Sequence, residues 1–230
     1  TQYAARNNKS EPFEPRGYIT DYYTDEAIKV IEKNKNRPFF LYLSHFAPHN
    51  PLQALRDDYD HFHHIEGEFS EELKVYSGML KALDRSVGRI LDTLEKNNLT
   101  DNTLIVLTSD NGGANYIHLS DINKPYRGWK LTHFEGGLHV PFMAKWPNKI
   151  KPGIEFNAPI HANDILPTFA AAAGAELPDD RIIDGVNLLP FLQNHNSEMP
   201  HETLYWLQGR LHTVLHENWK LITDHRTGKD

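Results

Sequence analysis

The sequence predicts an α/β protein with a mostly parallel sheet, followed by a small antiparallel sheet at the C-terminal end. Helix-like and strand-like segments alternate through the first half of the 230 residues. Two of the strand-like segments are continuous apolar runs, which are typical of strands buried on both faces. Short strand-like segments then follow one another near the end of the chain.

The first predicted helix follows a polar stretch at residues 1–18, which we expect to be a tail or linker. Thr24 is its expected N-cap, because two acidic residues follow directly and favour the first turn of a helix. The apolar run FFLYL at residues 39–43 comes next and predicts the first buried strand. The apolar stripe of the helix consists of Ala27, Ile28 and Ile31.

The clearest helix is predicted to begin at Ser70, as the N-cap, and to end at Asn97 and Asn98. Residues 44–69, before it, resemble a loop, and the run LIVL at residues 104–107 predicts a second buried strand after it. Apolar residues recur along the helix at spacings of three and four. They are Leu73, Tyr76, Met79, Leu80, Leu83, Val87, Ile90, Leu91 and Leu94.

The second half of the chain predicts one further strand, one helix and the antiparallel sheet. The strand is expected at residues 140–144, and the helix from Asp164, as its cap, to about Ala173, where Gly174 stops it. The strands of the small sheet are expected at residues 203–207, 211–215 and 219–222.

Composition excludes several classes of function. The net charge is −7 and no basic block is present, so the sequence does not favour nucleic acid or an anionic membrane as a partner. There is no cysteine, which excludes disulfides, thiolate zinc sites and a cysteine nucleophile in this chain. No apolar run approaches the length of a membrane span.

Candidate metal ligands follow the second apolar run. In parallel sheets, ligands collect at the carboxyl ends of the strands, and Asp110 and Asn111 lie at this position. Both side chains offer oxygen atoms to a hard cation such as Ca²⁺ or Mg²⁺, and the two following glycines allow a tight turn. Taken alone, however, the stretch is more typical of an Asx turn that closes a strand.

Further candidates are a histidine and a lysine. His49 lies between two prolines in a stiff loop and suits a general acid or an anion donor, although an isolated loop histidine is more often simply exposed. Lys130 suits a point charge for a tetrahedral oxyanion, although an isolated lysine is more often a surface residue. His61, His63 and His64 suggest zinc, but their spacing matches no ligand pattern and favours a polar loop.

Three blocks in combination resemble the type I, formylglycine-dependent sulfatase (arylsulfatase) family. They are PFFLYLSHFAPHNPLQA at 38–54, LIVLTSDNGG at 104–113 and PYRGWKLTHFEGGLHVPFMAKWP at 125–147. The resemblance implies an alkaline-phosphatase-like α/β fold. It further implies that residues 19–175 are the C-terminal part of the catalytic domain, and residues 176–230 a linker and C-terminal subdomain.

The same resemblance implies roles for the candidate residues. Asp110 and Asn111 resemble two calcium ligands of the family, with calcium preferred to magnesium. His49 resembles the histidine that contacts the sulfate ester near the leaving oxygen, and Lys130 resembles the lysine that holds the sulfate. Family members often have glycine after that lysine, whereas this chain has Leu131.

The nucleophile motif of the family, Cys/Ser-x-Pro/Ala-x-Arg, is absent from these residues. We therefore expect the chain to be a C-terminal portion that is inactive alone, with the formylglycine and the other metal ligands upstream. The expected partners are the rest of the sulfatase polypeptide and a sulfated small molecule or carbohydrate. His118, Arg127 and residues 57–69 are candidates for the rim that selects the substrate. Family habit places such proteins outside the cell, in the periplasm or in the lysosome.

Two alternatives remain open at this point. One is a phosphate or phosphonate ester hydrolase of the same superfamily, although its two-zinc members typically show Asp-His-Gly where this chain has Asp-Asn-Gly. The other is a non-catalytic module that has lost the half of the protein bearing the nucleophile.

Overall fold

The computed structural model describes residues 10–119, 121–194 and 198–224. These residues divide into two compact units. The first comprises the chain up to Thr100 together with Tyr116–Leu119, and the second comprises Asp101–Asn115 and the chain from Ser120 onward. Residues 1–9 of the predicted tail lie outside the described residues. Within the described ranges, no helix is long and apolar enough to span a membrane.

The first unit is helical. It contains α1 (Ile19–Asn34), the short α2 (Arg56–Asp60) and the long α3 (Ser70–Lys96). Both α1 and α2 pack against α3. The buried apolar residues of α1, and Met79 and Leu94 of α3, come from the predicted stripes, whereas Leu80 of the α3 stripe is 41% exposed. The loop predicted at residues 44–69 thus contains one helix that the sequence analysis missed. The buried apolar side chains of α1 and α3 are Ala27, Ile31, Met79, Ala82 and Leu94.

The predicted N-cap at Thr24 is wrong, because α1 begins at Ile19, more than a turn earlier. Thr24 is buried inside the helix; its hydroxyl donates to the carbonyl of Thr20 at 2.7 Å, and its oxygen accepts the hydroxyl of Ser86 at 2.6 Å. Ser86 in turn shares a hydrogen bond of 2.9 Å with Nε2 of His45. The threonine therefore satisfies its hydroxyl within the interface between α1 and α3 and not at a helix end.

The predicted N-cap at Ser70 is also wrong, because Ser70 is the first residue of α3. Phe69 occupies the cap position with φ of 60°, and no side chain caps the helix. The backbone N–H of Ser70 donates to the carbonyl of Gly67 at 3.2 Å. The chain therefore enters α3 through a left-handed turn that satisfies the first amide by backbone contact.

The strand predicted at residues 39–43 is not formed within the described part of the chain. The segment is extended, and its even-numbered side chains face outward, with Phe40 at 72% and Tyr42 at 80% exposure. A strand requires a hydrogen-bonded neighbour, and no described strand lies beside this segment. The apolar sequence therefore establishes the extended backbone but not the ladder.

The second unit contains a strand pair, β1 (Ile105–Thr108) and β2 (Phe142–Lys145). The two strands are antiparallel, with Ile105 opposite Lys145 and Thr108 opposite Phe142. No parallel pair occurs among the described strands. Parallel neighbours need a long crossover, whereas the only α-helix described between β1 and β2 is the short α4 (Glu135–Leu138).

The rest of the second unit follows the predicted order. α5 (Ile165–Ala173) ends at Gly174 with φ of 66°, as predicted, and α6 (Leu189–Leu192) follows. β3 (Thr203–Gln208), β4 (Leu211–His216) and β5 (Trp219–Asp224) form the predicted antiparallel sheet in the order β3-β4-β5. The core packs around Ile150, Leu188 and Leu192.

Asp164 has a different role from the predicted cap of α5. Its carboxylate is fully buried and accepts the backbone N–H groups of His161 at 2.7 Å and Val186 at 2.9 Å. Nε2 of His201 lies 2.8 Å from the same carboxylate. Asp164 makes no side-chain cap to α5, because its oxygens bond to His161 in its own turn and to two distant segments, at Val186 and His201.

Candidate functional site

The loop that carries Asp110 and Asn111 begins directly after β1 and is closed by its own side chains. The hydroxyl of Ser109 donates to the carbonyl of Asn111 at 2.9 Å, and Nδ2 of Asn111 donates to the carbonyl of Gly112 at 3.0 Å. The Asn111 amide therefore uses its nitrogen locally, which leaves its oxygen for a cation. The carboxylate of Asp110 is exposed and makes no hydrogen bond or ion pair to any described residue.

Glycines let this loop lie against the neighbouring backbone. The N–H of Gly112 donates to the carbonyl of Gly137 at 3.1 Å, and that of Gly136 donates to the carbonyl of Arg127 at 2.8 Å. A Cβ atom on Gly112 would lie 1.8 Å from the Gly136 carbonyl oxygen, and one on Gly136 would lie 2.2 Å from the Gly128 oxygen. Any larger residue would force these segments apart, so their close approach requires glycine.

Lys130 belongs to the same cluster of loops. Its backbone N–H donates to the carbonyl of Gly113 at 3.0 Å, which joins the lysine segment directly to the loop of Asp110 and Asn111. The side chain is half-buried, and no carboxylate among the described residues pairs with it. A lysine left without a counter-charge beside an acidic loop is suited to bind an external anion.

The C-terminal sheet holds the segment that follows Lys130. Nδ1 of His133 and Oγ1 of Thr213 on β4 share a buried hydrogen bond of 2.7 Å, and burial lowers the pKa of this imidazole below its usual value. Nζ of Lys220 on β5 donates to the carboxylate of Glu135, the first residue of α4. The local sequence does not predict these contacts, because they join residues about eighty positions apart.

His49 lies in the first unit. The side chain is exposed, its ring packs against Phe46 with the centroids 5.3 Å apart, and Nδ1 lies 2.8 Å from the carbonyl oxygen of Asn50. Since a carbonyl only accepts, Nδ1 carries the hydrogen. Nε2 is consequently the nitrogen that can bind a ligand or exchange a proton with one.

The chemical type of the donor atoms, oxygen, suits a hard cation. Asp110 supplies carboxylate oxygen and Asn111 supplies amide oxygen, which are the ligands that calcium prefers, while calcium takes about six to eight in total. No group of three or more His, Asp or Glu side chains suited to a metal ion occurs in the described part of the chain. Two such ligands are fewer than a calcium ion takes, so Asp110 and Asn111 would need further ligands to hold one.

The remaining candidate residues lie in aromatic contacts. His118 stacks on Phe69 within the first unit, with the centroids 5.2 Å apart and an interplanar angle of 14°. The guanidinium of Arg127 lies 4.2 Å from the ring centroid of Phe134. His61 contacts Phe62, and His63 contacts His64 edge to face. Among the rim candidates, residues 57–69 and His118 belong to the first unit and Arg127 belongs to the second.

The chain matches the family described as Sulfatase over residues 1–175, and the one described as N-sulphoglucosamine sulphohydrolase, C-terminal, over residues 128–224. The chain belongs to the sulfatase family. It is 38% identical over 205 residues to the uncharacterised sulfatase YdeN of Escherichia coli K12, a match that covers 88% of this chain and 36% of YdeN. Human steryl-sulfatase is 35% identical, with 84% of this chain and 33% of that protein covered. The sulfatase chain thus spans about a third of the length of these relatives.

Solved structures confirm the alkaline-phosphatase-like fold class. Ps i-CgsB in complex with k-i-k-neocarrahexaose matches 95% of this sulfatase chain and 49% of its own, with 36% identity and a TM-score of 0.84. BT4656, bound to D-glucosamine-2-N,6-O-disulfate, has a TM-score of 0.76 at 20% identity, covering 93% of this chain and 62% of that one. The second match, at its lower identity, supports the fold alone.

Proposed function

We propose that the complete protein of which this chain is a part hydrolyses sulfate esters, and that residues 10–224 supply half of the metal and sulfate site. The single observation that carries this proposal is the hydrogen bond from the Lys130 N–H to the Gly113 carbonyl, at 3.0 Å. It joins a lysine that pairs with no carboxylate among the described residues to the loop of Asp110 and Asn111. An anion and a cation can then bind side by side, as a sulfate ester and its counter-ion require.

Calcium, when bound, would neutralise charge on the sulfate oxygens, and the formylglycine expected upstream would supply the nucleophile. Asp110 and Asn111 would hold the ion through their side-chain oxygens. Lys130 would hold the sulfate oxygens through Nζ. His49, carrying a proton on each ring nitrogen, would give the leaving oxygen the proton on Nε2 and keep the one on Nδ1, which is bonded to the carbonyl of Asn50.

The proposed substrate is a sulfated carbohydrate. Support comes from Ps i-CgsB, which is 36% identical to this chain and was solved with k-i-k-neocarrahexaose. Calcium is proposed over magnesium because Asp110 and Asn111 resemble calcium ligands of the family, and both offer the oxygen atoms that calcium takes. We further propose a location outside the cytosol, in keeping with the family habit.

The test uses the full-length protein with 4-nitrophenyl sulfate, a sulfated oligosaccharide and a matched phosphonate monoester. We expect sulfate release that depends on calcium, and a fall of about 10²- to 10³-fold in kcat/KM for Lys130→Ala. Lys124→Ala is the matched control, because Lys124 is an exposed lysine in the same segment that pairs with Asp121. It should leave the rate unchanged.

Three outcomes would contradict the proposal. Faster turnover of the phosphonate would favour the ester hydrolase alternative. Absence of turnover of any ester by the full-length protein would favour a non-catalytic module. Turnover by the 230-residue chain alone would contradict the division of the site between two parts of a longer protein.

A further inference from the structure

The side chain of Asn123 bonds to both loops of the candidate site. Its Oδ1 accepts the N–H of Gly113 at 2.7 Å, and its Nδ2 donates to the carbonyl of Gly113 at 2.9 Å. The same Nδ2 donates to the carbonyl of Gly128 at 3.1 Å. One amide group thus pairs with both sides of Gly113 and with the segment that leads to Lys130.

These bonds differ from ordinary turn chemistry. An Asx turn joins an asparagine to the backbone about two residues away. The Asn123 side chain instead reaches ten residues back to Gly113 and five residues forward to Gly128. The local turn is made separately, since the backbone carbonyl of Asn123 accepts the N–H of Tyr126 at 2.8 Å. The side chain is therefore available for the longer connections.

The geometry makes Gly113 the shared point of the site. Its carbonyl receives Nδ2 of Asn123 and also the backbone N–H of Lys130, at 3.0 Å. The residues that lead into Gly113 include Asp110 and Asn111. A displacement of Gly113 would consequently move both the proposed cation ligands and the proposed sulfate lysine.

We propose that Asn123 is a positioning residue that holds the loop of Asp110 and Asn111 at a fixed spacing from the loop of Lys130. This inference rests on the proposed function of those two loops. It predicts that removal of the Asn123 amide weakens the binding of the cation and of the sulfate together, although Asn123 contacts neither ion. Groups that orient metal ligands commonly affect metal affinity by about 10- to 100-fold, and Asn123 would act in this way through Gly113, two residues after Asn111.

The test compares Asn123→Ala with Asn187→Ala in the full-length protein. Asn187 is a matched control, because it is also half-buried in the second unit and its Oδ1 accepts a backbone N–H, that of Leu189 at 3.0 Å. Asn123→Ala should lose more stability than Asn187→Ala, because it removes three side-chain hydrogen bonds and the control removes one. Only Asn123→Ala should raise the calcium Kd by about 10-fold or more and the Kd of inorganic sulfate by a similar factor. Titration calorimetry measures both constants.

Hydrogen exchange gives a readout that is independent of activity and of the metal. In Asn123→Ala, the amides of Gly113 and Lys130 should exchange faster than in the wild type. In Asn123→Asp, the amide of Gly113 keeps its acceptor and should stay protected, while Lys130 should exchange faster because the carboxylate cannot donate to either carbonyl. A carboxylate favours calcium by charge alone, so weaker calcium binding by this variant would report lost geometry. The Asn123→Asp variant also provides the test if Asn123→Ala does not fold.

The proposal is overturned if Asn123→Ala binds both ligands within about twofold of the wild type, or if only one ligand is weakened. It is overturned equally if Asn187→Ala weakens binding to the same extent. In the Asp variant, calcium binding that is unchanged or stronger would contradict it. Failure of the proposed function is distinguishable, since the wild type itself would then neither bind calcium nor release sulfate.

Discussion

Leu131, the residue after Lys130, occupies a backbone conformation that suits glycine. Its φ is 74°, in the left-handed region, and its side chain is 64% exposed. A residue with a Cβ atom is strained there by about 1 kcal/mol, and an exposed leucine recovers little of this by burial. The departure from the glycine that the family often has at this position therefore places strain beside Lys130, the proposed sulfate ligand.

Leu131→Gly should raise the free energy of unfolding by about 0.5 kcal/mol, because relief of the strain slightly exceeds the added entropy of the unfolded glycine. Leu221→Gly is the matched control, since Leu221 is 63% exposed and lies in the extended strand β5. It should lower stability by about 1 kcal/mol. Urea unfolding measures both, and equal losses in the two variants would contradict the assignment of strain to Leu131.

Single residues also show what local sequence can predict. Short motifs contain Asp110, Asn111 and Lys130, so the sequence alone identifies these residues as candidates for the site. The roles of Thr24 and Ser70 could not be predicted in this way, because capping preferences describe isolated helix ends. Whether a hydroxyl lies at a helix end or against another helix depends on contacts across the fold, such as the bond between Thr24 and Ser86.

Among the elements, the junction of α2 and α3 depends on a buried carboxylate. Asp58 accepts hydrogen bonds from Arg85 at 2.8 Å and from Lys81 at 2.9 Å. Burial alone would raise the pKa of Asp58, but these two cations reverse the effect and lower it below its usual value. The short helix α2 is therefore attached to α3 through charge as well as packing.

Asp58→Asn should lower the free energy of unfolding by about 2 kcal/mol at neutral pH, because two cations lose their partner at a buried site. The loss should shrink as pH falls through the lowered pKa, below the ordinary value of 3.8, where the wild-type carboxylate is protonated too. Asp180→Asn removes an exposed pair with Arg181 and should change stability by less than about 0.5 kcal/mol. A pH-independent loss would contradict the ionic explanation.

The C-terminal sheet gives a second prediction for the elements. Lys220 on β5 is mostly buried where it pairs with Glu135, whereas Arg210 is largely exposed where it pairs with Asp224. Lys220→Met should cost about 1 kcal/mol, since His139 still faces Glu135 at 3.2 Å. Arg210→Met should cost less than about 0.5 kcal/mol. Thermal unfolding of both variants makes the comparison, and a larger loss from Arg210→Met would contradict it.

Elements with long or regular patterns were predicted well, and those that depend on neighbours were not. α3 and the strands β3, β4 and β5 follow from periodicity that each segment carries by itself. The run at residues 39–43 has equally strong apolar character, but pairing is a property of two segments. Its alternation of exposed and half-buried side chains is that of an unpaired extended chain.

At the scale of the whole molecule, the half-buried His45 of the first unit and the buried His133 of the second make stability depend on pH. Burial lowers the pKa of His45 in the first unit and of His133 in the second, below the ordinary value of 6.5. The unfolded chain therefore binds protons that the folded chain does not. The stability from these groups is present above pH 6.5 and is lost as pH falls from there toward the lowered pKa values.

The free energy of unfolding should accordingly fall between pH 7 and pH 5, by at most about 1.4 kcal/mol per pH unit for each histidine. His133→Gln should remove part of this slope, whereas His64→Gln, at an exposed loop position, should leave it unchanged. Urea unfolding at several pH values gives the slopes. An identical slope in His133→Gln and the wild type would contradict the assignment.

The bonds between Gly113 and Asn123 also have an evolutionary consequence. They close the base of the segment between these residues, which are ten positions apart. When the ends of a loop are fixed by hydrogen bonds, its length can change at small entropic cost, and the geometry at the base is preserved. The segment between them includes the buried Ile117 and also His118, which stacks on Phe69. A change in length at its exposed positions would therefore leave Asp110 and Lys130 in place, whereas a change at these two packed residues would disturb the first unit.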